Sequence, residues 1–363
     1  MSALAVVLVL LATCVAYWPG LDGGYVFDDL PNIVNNPDVQ VSTERWQDWL
    51  GAAFSSPSSR LQRPLAMLSF AANHYFTGLD PRPMKLTNIG LHLLNFLLVL
   101  GMLRCLLRVA SAATGGRNED KDRDGIATLF AGAAWALHPI NLMAVLFIVQ
   151  RMESLSHTFV FAGLWLYLAG RGRQLAGLAG WSRVLAGLAG GTLLGVLVKE
   201  SAVLLPLYAF LVEFCVLGFR AQGSSTGRRL RLLYLLVLAL PAALAIAWLG
   251  SSALAPGAFG SRDFNVWERL LTEFRVVLDY LRWSVLPDLG SMSLYHDDYQ
   301  VSRGLLSPPS TLFAMVAMGV TCALAIGLRR RRPLTALGLS WFLSAQLLTA
   351  TVIPLELMFE HRN

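Results

Sequence analysis

Nine stretches of this chain are apolar over lengths that can cross a bilayer, at roughly 3–18, 86–107, 125–143, 154–170, 184–198, 202–219, 232–250, 311–328 and 334–352. The hydrocarbon core takes about 20 apolar residues in a helix, and inside it every backbone N–H and C=O must be satisfied within its own segment. The expected fold is therefore an all-α polytopic membrane protein of about nine transmembrane helices, with residues 1–363 forming one domain. Charge agrees: only 14% of the 363 residues are charged, against about 25% in soluble domains. An ordinary soluble globule, a disordered chain and a coiled coil are excluded. The first run lacks a basic leader and a clean small-residue cleavage site, so it reads as an uncleaved span rather than a signal peptide.

The 29 basic residues and 23 acids set the topology, because Lys and Arg collect in cytoplasmic loops. With a cytoplasmic N-terminus, nine spans put sixteen basic residues inside: Arg104, Arg108, Arg117, Lys121, Arg123, Arg171, Arg173, Arg183, Arg220, Arg228, Arg229, Arg231 and Arg329 to Arg332. The balance is about +11 inside and −5 outside, within a net charge of +6. The positive excess is thus a topology signal; no nucleic-acid-binding motif is present and no nucleic-acid partner is expected. Two outer loops are long, 19–85 and 251–310. Each holds an amphipathic stretch with tryptophan, Glu44 to Phe54 (Trp46, Trp49) and Phe264 to Trp283 (Trp267), as helices at a membrane interface do. The Gly/Ala/Leu alternation over 175–195 reads as small residues for close helix contact. Cys14, Cys105, Cys215 and Cys322 have no paired or metal-ligand spacing and read as small hydrophobes.

Ionisable side chains near spans are costly and mark function, and here the candidates collect on the outer side. Asp28-Asp29 follows the first span; adjacent carboxylates repel, so one should hold its proton to higher pH and serve as a base. A solvated loop pair or a helix cap before Pro31 is the plainer reading. Arg63 and His74 follow in the same loop, then Lys85. Asn88, His92 and Asn95, spaced i, i+4, i+7, form one stripe on the second span, facing either a ligand or a partner helix. His138 ends the third span, Arg151 and Glu153 begin the fourth, and Lys199-Glu200 lies at a hairpin tip. Glu360-His361-Arg362 follow the last span. Arg63, Arg151 and Lys199, with Arg362 behind them, suit a phosphate or pyrophosphate group. No phosphate-cradling glycine loop, Gly-x-Ser-x-Gly or His-Glu-x-x-His appears. A site here would face outward and take a lipid-borne substrate.

The ordered series Val26-Phe27-Asp28-Asp29, Asn35-Asn36-Pro37, Arg63-Pro64-Leu65, Asn73-His74-Tyr75-Phe76-Thr77-Gly78-Leu79-Asp80-Pro81, Leu86-Thr87-Asn88, Leu91-His92-Leu93-Leu94-Asn95, Ala136-Leu137-His138-Pro139-Ile140, Gln150-Arg151, Glu153-Ser154-Leu155, Lys199-Glu200-Ser201 and Phe359-Glu360-His361-Arg362-Asn363 resembles the transmembrane-and-tetratricopeptide O-mannosyltransferase family and its bacterial relatives. The resemblance implies a GT-C glycosyltransferase with its site on the periplasmic or lumenal face. It implies a polyprenyl-phosphate sugar donor, a protein or glycan acceptor, and a catalytic carboxylate in the first outer loop, where Asp28 and Asp29 stand. Two departures matter. Met143 stands at or near a place where relatives tend to have Glu, so that role does not transfer. Relatives also continue past the last motif with further helices and often a helical-repeat domain, so the chain reads as a fragment or a truncated product.

The expected chemistry is inverting transfer of a sugar to a hydroxyl, with Asp28 or Asp29 as general base and cations on the leaving phosphate. Metal is an open question: Asp28, Asp29 and His74 could ligate a divalent ion, but the spacing does not demand one, and no other cofactor is expected. The alternatives from other classes are a transporter or flippase for a polyprenyl-linked substrate, which would want charges deep in the bilayer and internal repeats, and a non-catalytic membrane assembly protein.

Overall fold

The computed structural model describes residues 2–113, 121–222, 224–243, 259, 262–292, 296, 299–353, 355 and 357. Among the described residues every regular element is helical. The chain divides into two compact units, Met1–Leu205 and Pro206–Asn363.

The first unit opens with α1 (Ala3–Tyr17), capped by the Ser2 hydroxyl, which accepts from the Ala5 N–H at 3.1 Å. A loop with short 3-10 and π turns then leads to α2 (Trp46–Ala53) and α3 (Pro64–Thr77). Pro64 suits the first turn of α3 because its missing N–H would be unpaired there anyway, and Gly78, at φ 65°, ends the helix in the left-handed region that glycine enters without strain. α4 (Pro81–Ala113), 33 residues long, packs along α5 (Lys121–Ala136) and α7 (Arg151–Leu175). Between α5 and α7 the chain breaks. Pro139 cannot extend α5, the His138 ring accepts from the Ile140 N–H at 3.2 Å, and the short α6 (Leu142–Leu146) lies in a segment that leaves α5 at 47°. Two apolar clusters tie α1 to this frame: Tyr17, Leu21, Ile89 and Val145, and, nearer the other end of α1, Phe96, Leu100 and Ala136 with Val6 and Leu10.

The small residues at 175–195 act as the sequence suggests. α8 (Trp181–Leu185) and α9 (Gly191–Val196) are joined by a π turn, and this stretch lies against α7 backbone to backbone. A Cβ on Gly163 would come within 2.7 Å of the Gly187 carbonyl oxygen, and one on Gly187 within 2.5 Å of the Gly163 oxygen.

The second unit contains α10 (Leu205–Val212), which continues as a π turn to Leu217, then α11 (Ser224–Tyr234), α12 (Val266–Val285), α13 (Ser310–Gly327) and α14 (Pro333–Ala345). α12 is the amphipathic stretch read from the second outer loop. A capping box between Asn265 and Glu268 starts it, Val276, Val277, Tyr280 and Trp283 are buried on one face, and Trp267 is 69% exposed on another. The buried Arg269 guanidinium donates to the carbonyls of Thr349, Thr351 and Leu355.

Nine spans were expected. Among the described residues four helical stretches are long and apolar enough to cross a membrane: Ala3–Asp22, Pro81–Ala113, Glu200–Leu217 and Ser310–Arg330. The bent pair Asp122–Ala136 and Pro139–Leu146 makes a fifth if it counts as one. The difference has physical reasons. α7 is long enough but carries Arg151, Glu153, Arg171 and Arg173, with the first three buried in protein. α14 is only 13 residues long, and the run at 232–250 is described only to residue 243.

Candidate functional site

The segment Ile148 to Glu153 is where the separate motifs meet. It turns through a 3-10 stretch into α7 and is almost wholly buried. Asp29 reaches it from the first loop: its Oδ1 accepts from the Val149 N–H at 2.7 Å and its Oδ2 from the Val26 N–H at 3.0 Å. Its carboxyl is fully buried. Burial pushes its pKa up to about 6, against the lowering effect of the two N–H groups and of nearby Lys85. Lys85 itself is held by the carbonyls of Gly20 and Gly23 at 2.8 and 2.7 Å. Tyr25 donates to the Met84 sulfur at 3.3 Å, and its hydroxyl pKa is pushed up to about 12, first by burial and then by the Asp29 and Asp80 carboxylates.

The two aspartates therefore differ. Asp28 is exposed; its backbone carbonyl accepts from the Asn32 side chain at 2.8 Å. The residue before it, Phe27, sits at φ 43°, a region that costs a side-chain-bearing residue about 1–2 kcal/mol. Consecutive side chains leave the backbone in different directions, and here one carboxylate enters protein while the other faces outward. A left-handed backbone like that of Phe27 recurs at the other outer motif, where Gln62 and Arg63 stand at φ 56° and 46°.

Arg151 is fully buried. Its Nε donates to Asn88 Oδ1 at 2.7 Å, its Nη1 to the Ser69 carbonyl at 2.9 Å and its Nη2 to the Met84 carbonyl at 2.8 Å, while the guanidinium lies 4.6 Å from the Phe70 ring centre. It is a strut joining α3, α4 and α7. Arg63 lies nearer the surface, its side chain 15% exposed. Its Nη2 pairs with Glu200 Oε2 at 2.8 Å, Nε lies 3.1 Å from the same oxygen, and Nη1 contacts the Met152 sulfur at 3.3 Å. The Glu200 side chain, also a partner of the Ser59 hydroxyl, is 37% exposed. Lys199 pairs with buried Glu153 at 2.5 Å, and Glu153 also meets the Ser201 hydroxyl at 2.8 Å and His157 Nδ1 at 3.2 Å.

Of the other sequence candidates, Asn88 touches this segment through Arg151 and the Ile148 carbonyl, and the rest lie outside it. Asn88, His92 and Asn95 line one face of α4, and each holds backbone carbonyls: Asn88 those of Val145 and Ile148 in the broken region between α5 and α7, His92 that of Ala136 at the end of α5, and Asn95 that of Ser154 in the first turn of α7. The stripe serves helix packing. His74 meets the Val41 carbonyl at 3.0 Å, and His138 caps the turn at 139–141. Met143 lies within α6 and brings no charge to the site. Glu360, His361 and Arg362 lie outside the described residues. Of the residues offered for a divalent ion, Asp29 accepts an N–H on each oxygen, His74 meets a carbonyl through Nδ1, and Asp28 is exposed. Among the described residues no group of three His, Cys, Asp or Glu side chains could hold a metal.

Reading the sequence missed His157 and Ser59, and named Ser201 only as part of the Lys199-Glu200-Ser201 motif. His157 is legible as the i+4 partner of Glu153; Ser59, in a serine-rich loop, gives no signal that names Glu200 as its partner.

No family model matches the chain, and no solved structure matches it. Curated relatives do. The chain is 34% identical over 151 residues to protein O-mannosyl-transferase TMTC1 of Mus musculus, covering 40% of this chain and 14% of that protein. It is 32% identical over 148 residues to protein O-mannosyl-transferase TMTC4 of Homo sapiens, covering 38% and 19%. It is 29% identical over 172 residues to TMTC3 of Mus musculus, covering 46% and 17%. The match thus spans between 14 and 19% of the length of these relatives. Over that aligned part, this multi-pass chain is similar to the proteins named TMTC protein O-mannosyl-transferases, the group its motifs resemble.

Proposed function

We propose that this chain is a membrane glycosyltransferase that moves a hexosyl group, mannosyl by analogy with its relatives' names, from a polyprenyl-phosphate carrier to a hydroxyl, with a protein as the favoured acceptor. The observation that supports it is the convergence of Asp29, Arg63, Arg151 and Lys199 on one short buried segment, with Asp28 exposed beside it. The finer topology belongs to the same proposal: nine spans, a cytoplasmic N-terminus and a site on the periplasmic or lumenal face.

In this reading Asp28 is the general base. It takes the proton of the acceptor hydroxyl as that oxygen bonds to the anomeric carbon. The bond from that carbon to the carrier phosphate breaks on the opposite face, so the configuration inverts, and the carrier leaves as its phosphate. Asp29 fixes the loop that aims Asp28. Arg63 and Lys199 stabilise the charge gained by the leaving phosphate, each by exchanging a carboxylate partner for it. Arg63 is the better placed, because Glu200 is the more open of the two partners. Arg151 holds the segment in register.

The test uses the purified full chain in liposomes with radiolabelled polyprenyl-phosphate mannose and serine- and threonine-bearing peptides. Labelled peptide is expected. Asp28→Asn should lower its rate by about 10²–10⁴-fold, the usual worth of a general base, without changing helix content. Labelled lipid crossing the bilayer with no peptide product would establish a flippase instead, and a full rate in the variant removes Asp28 from the mechanism.

A further inference from the structure

The second unit carries a feature that sugar transfer does not use. Eight arginines, Arg220, Arg228, Arg229, Arg231 and Arg329 to Arg332, flank its helix ends, and between residues 210–243 and 310–345 the one acid is Glu213, which is buried. Four rings gather these two arginine groups. Phe210 lies 5.9 Å from Phe214, 6.0 Å from Phe219 and 5.5 Å from Tyr234, and Phe219 lies 6.1 Å from Tyr234. The turn that folds Phe219 back is built for it: Gly218 and Phe219 are both left-handed, at φ 62° and 57°, and Gly227 approaches so closely that a Cβ there would stand 2.9 Å from the Phe219 carbonyl oxygen. One arginine of each group rests on this cluster. The Arg231 guanidinium lies 5.8 Å from the Phe219 ring centre and that of Arg329 lies 4.7 Å from Phe214. Arg228, Arg229, Arg231, Arg330, Arg331 and Arg332 are exposed.

A topology signal needs only the charges; it does not need them clamped together on rings. Like charges held side by side repel unless something anionic lies over them. Two stretches apolar enough to cross a membrane, Glu200–Leu217 and Ser310–Arg330, both end at this cluster, so the arginines stand at the depth where lipid headgroups begin. Basic clusters at that depth attract anionic headgroups, and guanidinium forks match phosphate oxygens two at a time.

We propose that this end of the second unit is a binding surface for the headgroup of an anionic phospholipid. The aromatic cluster fixes Arg231 and Arg329 as its floor, and the exposed arginines on either side close on the phosphate.

The full chain, purified in a neutral detergent, is mixed with equal amounts of phosphatidylglycerol and phosphatidylcholine, and retained lipid is counted by native mass spectrometry. Phosphatidylglycerol should be retained at least tenfold over phosphatidylcholine in about 0.1 M salt, and the preference should shrink towards 1 M, where screening is far stronger. Arg228→Gln with Arg229→Gln should lower its retention roughly 25-fold, at about fivefold for each cation near an anionic surface. Arg228→Lys with Arg229→Lys keeps the charge needed for insertion but not the forks, and its retention should fall between those of the parent and the double Gln variant; Arg82→Gln, at an exposed arginine in the first turn of α4, should change nothing. Equal retention of the two lipids, or undiminished phosphatidylglycerol on the double Gln variant, overturns the proposal. So does full displacement by millimolar inorganic phosphate, which would make the ligand a free anion.

Discussion

Asp28 and Asp29 are adjacent and chemically identical, yet one faces out and the other is walled in by two backbone N–H groups. The wall has a measurable consequence. Folded Asp29 titrates at about 6, above the ordinary 3.8, so folding takes up a proton between those values. Its contribution to stability is present in full below about pH 4 and is lost as pH rises through 6. A shift of about two units corresponds to roughly 3 kcal/mol. Asp29→Asn removes the titration, so the stability of the parent relative to the variant should fall by about that amount between pH 4 and pH 7, read from detergent unfolding curves. A difference that stays flat across that range would mean Asp29 is not buried as described. The sequence could not have separated the pair, because the buried one is chosen by its contact with the Val149 N–H, 120 residues away, and nothing in Val-Phe-Asp-Asp announces that partner.

At the scale of elements, the helices themselves were legible wherever apolar residues ran on, and the break at Pro139 was legible as the end of a span. What the polar stripe on α4 does was not. Asn88, His92 and Asn95 share a face by spacing alone, but their partners are carbonyls in and on either side of the break between α5 and α7, more than forty residues away in sequence. The contact between α7 and the α8–α9 stretch lies at the other extreme: glycine spacing foretold it. The prediction there is one of opposite signs. Gly187→Ala puts a Cβ against backbone that cannot yield, as the Gly163 oxygen and Tyr167 nitrogen would lie at 2.5 and 2.7 Å, whereas Gly190→Ala meets nothing within 4 Å. The first should destabilise by about 1–3 kcal/mol. The second should be neutral or stabilising by up to about 1 kcal/mol, since it removes a helical glycine. Thermal midpoints of the two purified variants decide it, and a Gly187→Ala protein as stable as its parent would show that the helices are further apart.

For the whole molecule, the decisive matter is which residues share a side of the membrane. The proposed threading puts Asp28 and Arg331 on opposite sides. In a chain whose four cysteines are changed to serine, Asp28→Cys should react with a membrane-impermeant maleimide added from outside, and Arg331→Cys only after the membrane is opened. Labelling of both from one side would require a different number of crossings. Arg151 bears on how such a molecule admits a bulky substrate. Its three donor directions run to the side chain of Asn88 on α4 and to the main chain of α3 and of α4, so any parting of those helices would strand a positive charge in a dry interior. The rods around that guanidinium must consequently travel as one block. In the proposed reaction, room for a carrier would come from the tie of Arg63 to Glu200, whose side chains are already 15% and 37% exposed and so keep contact with water when parted.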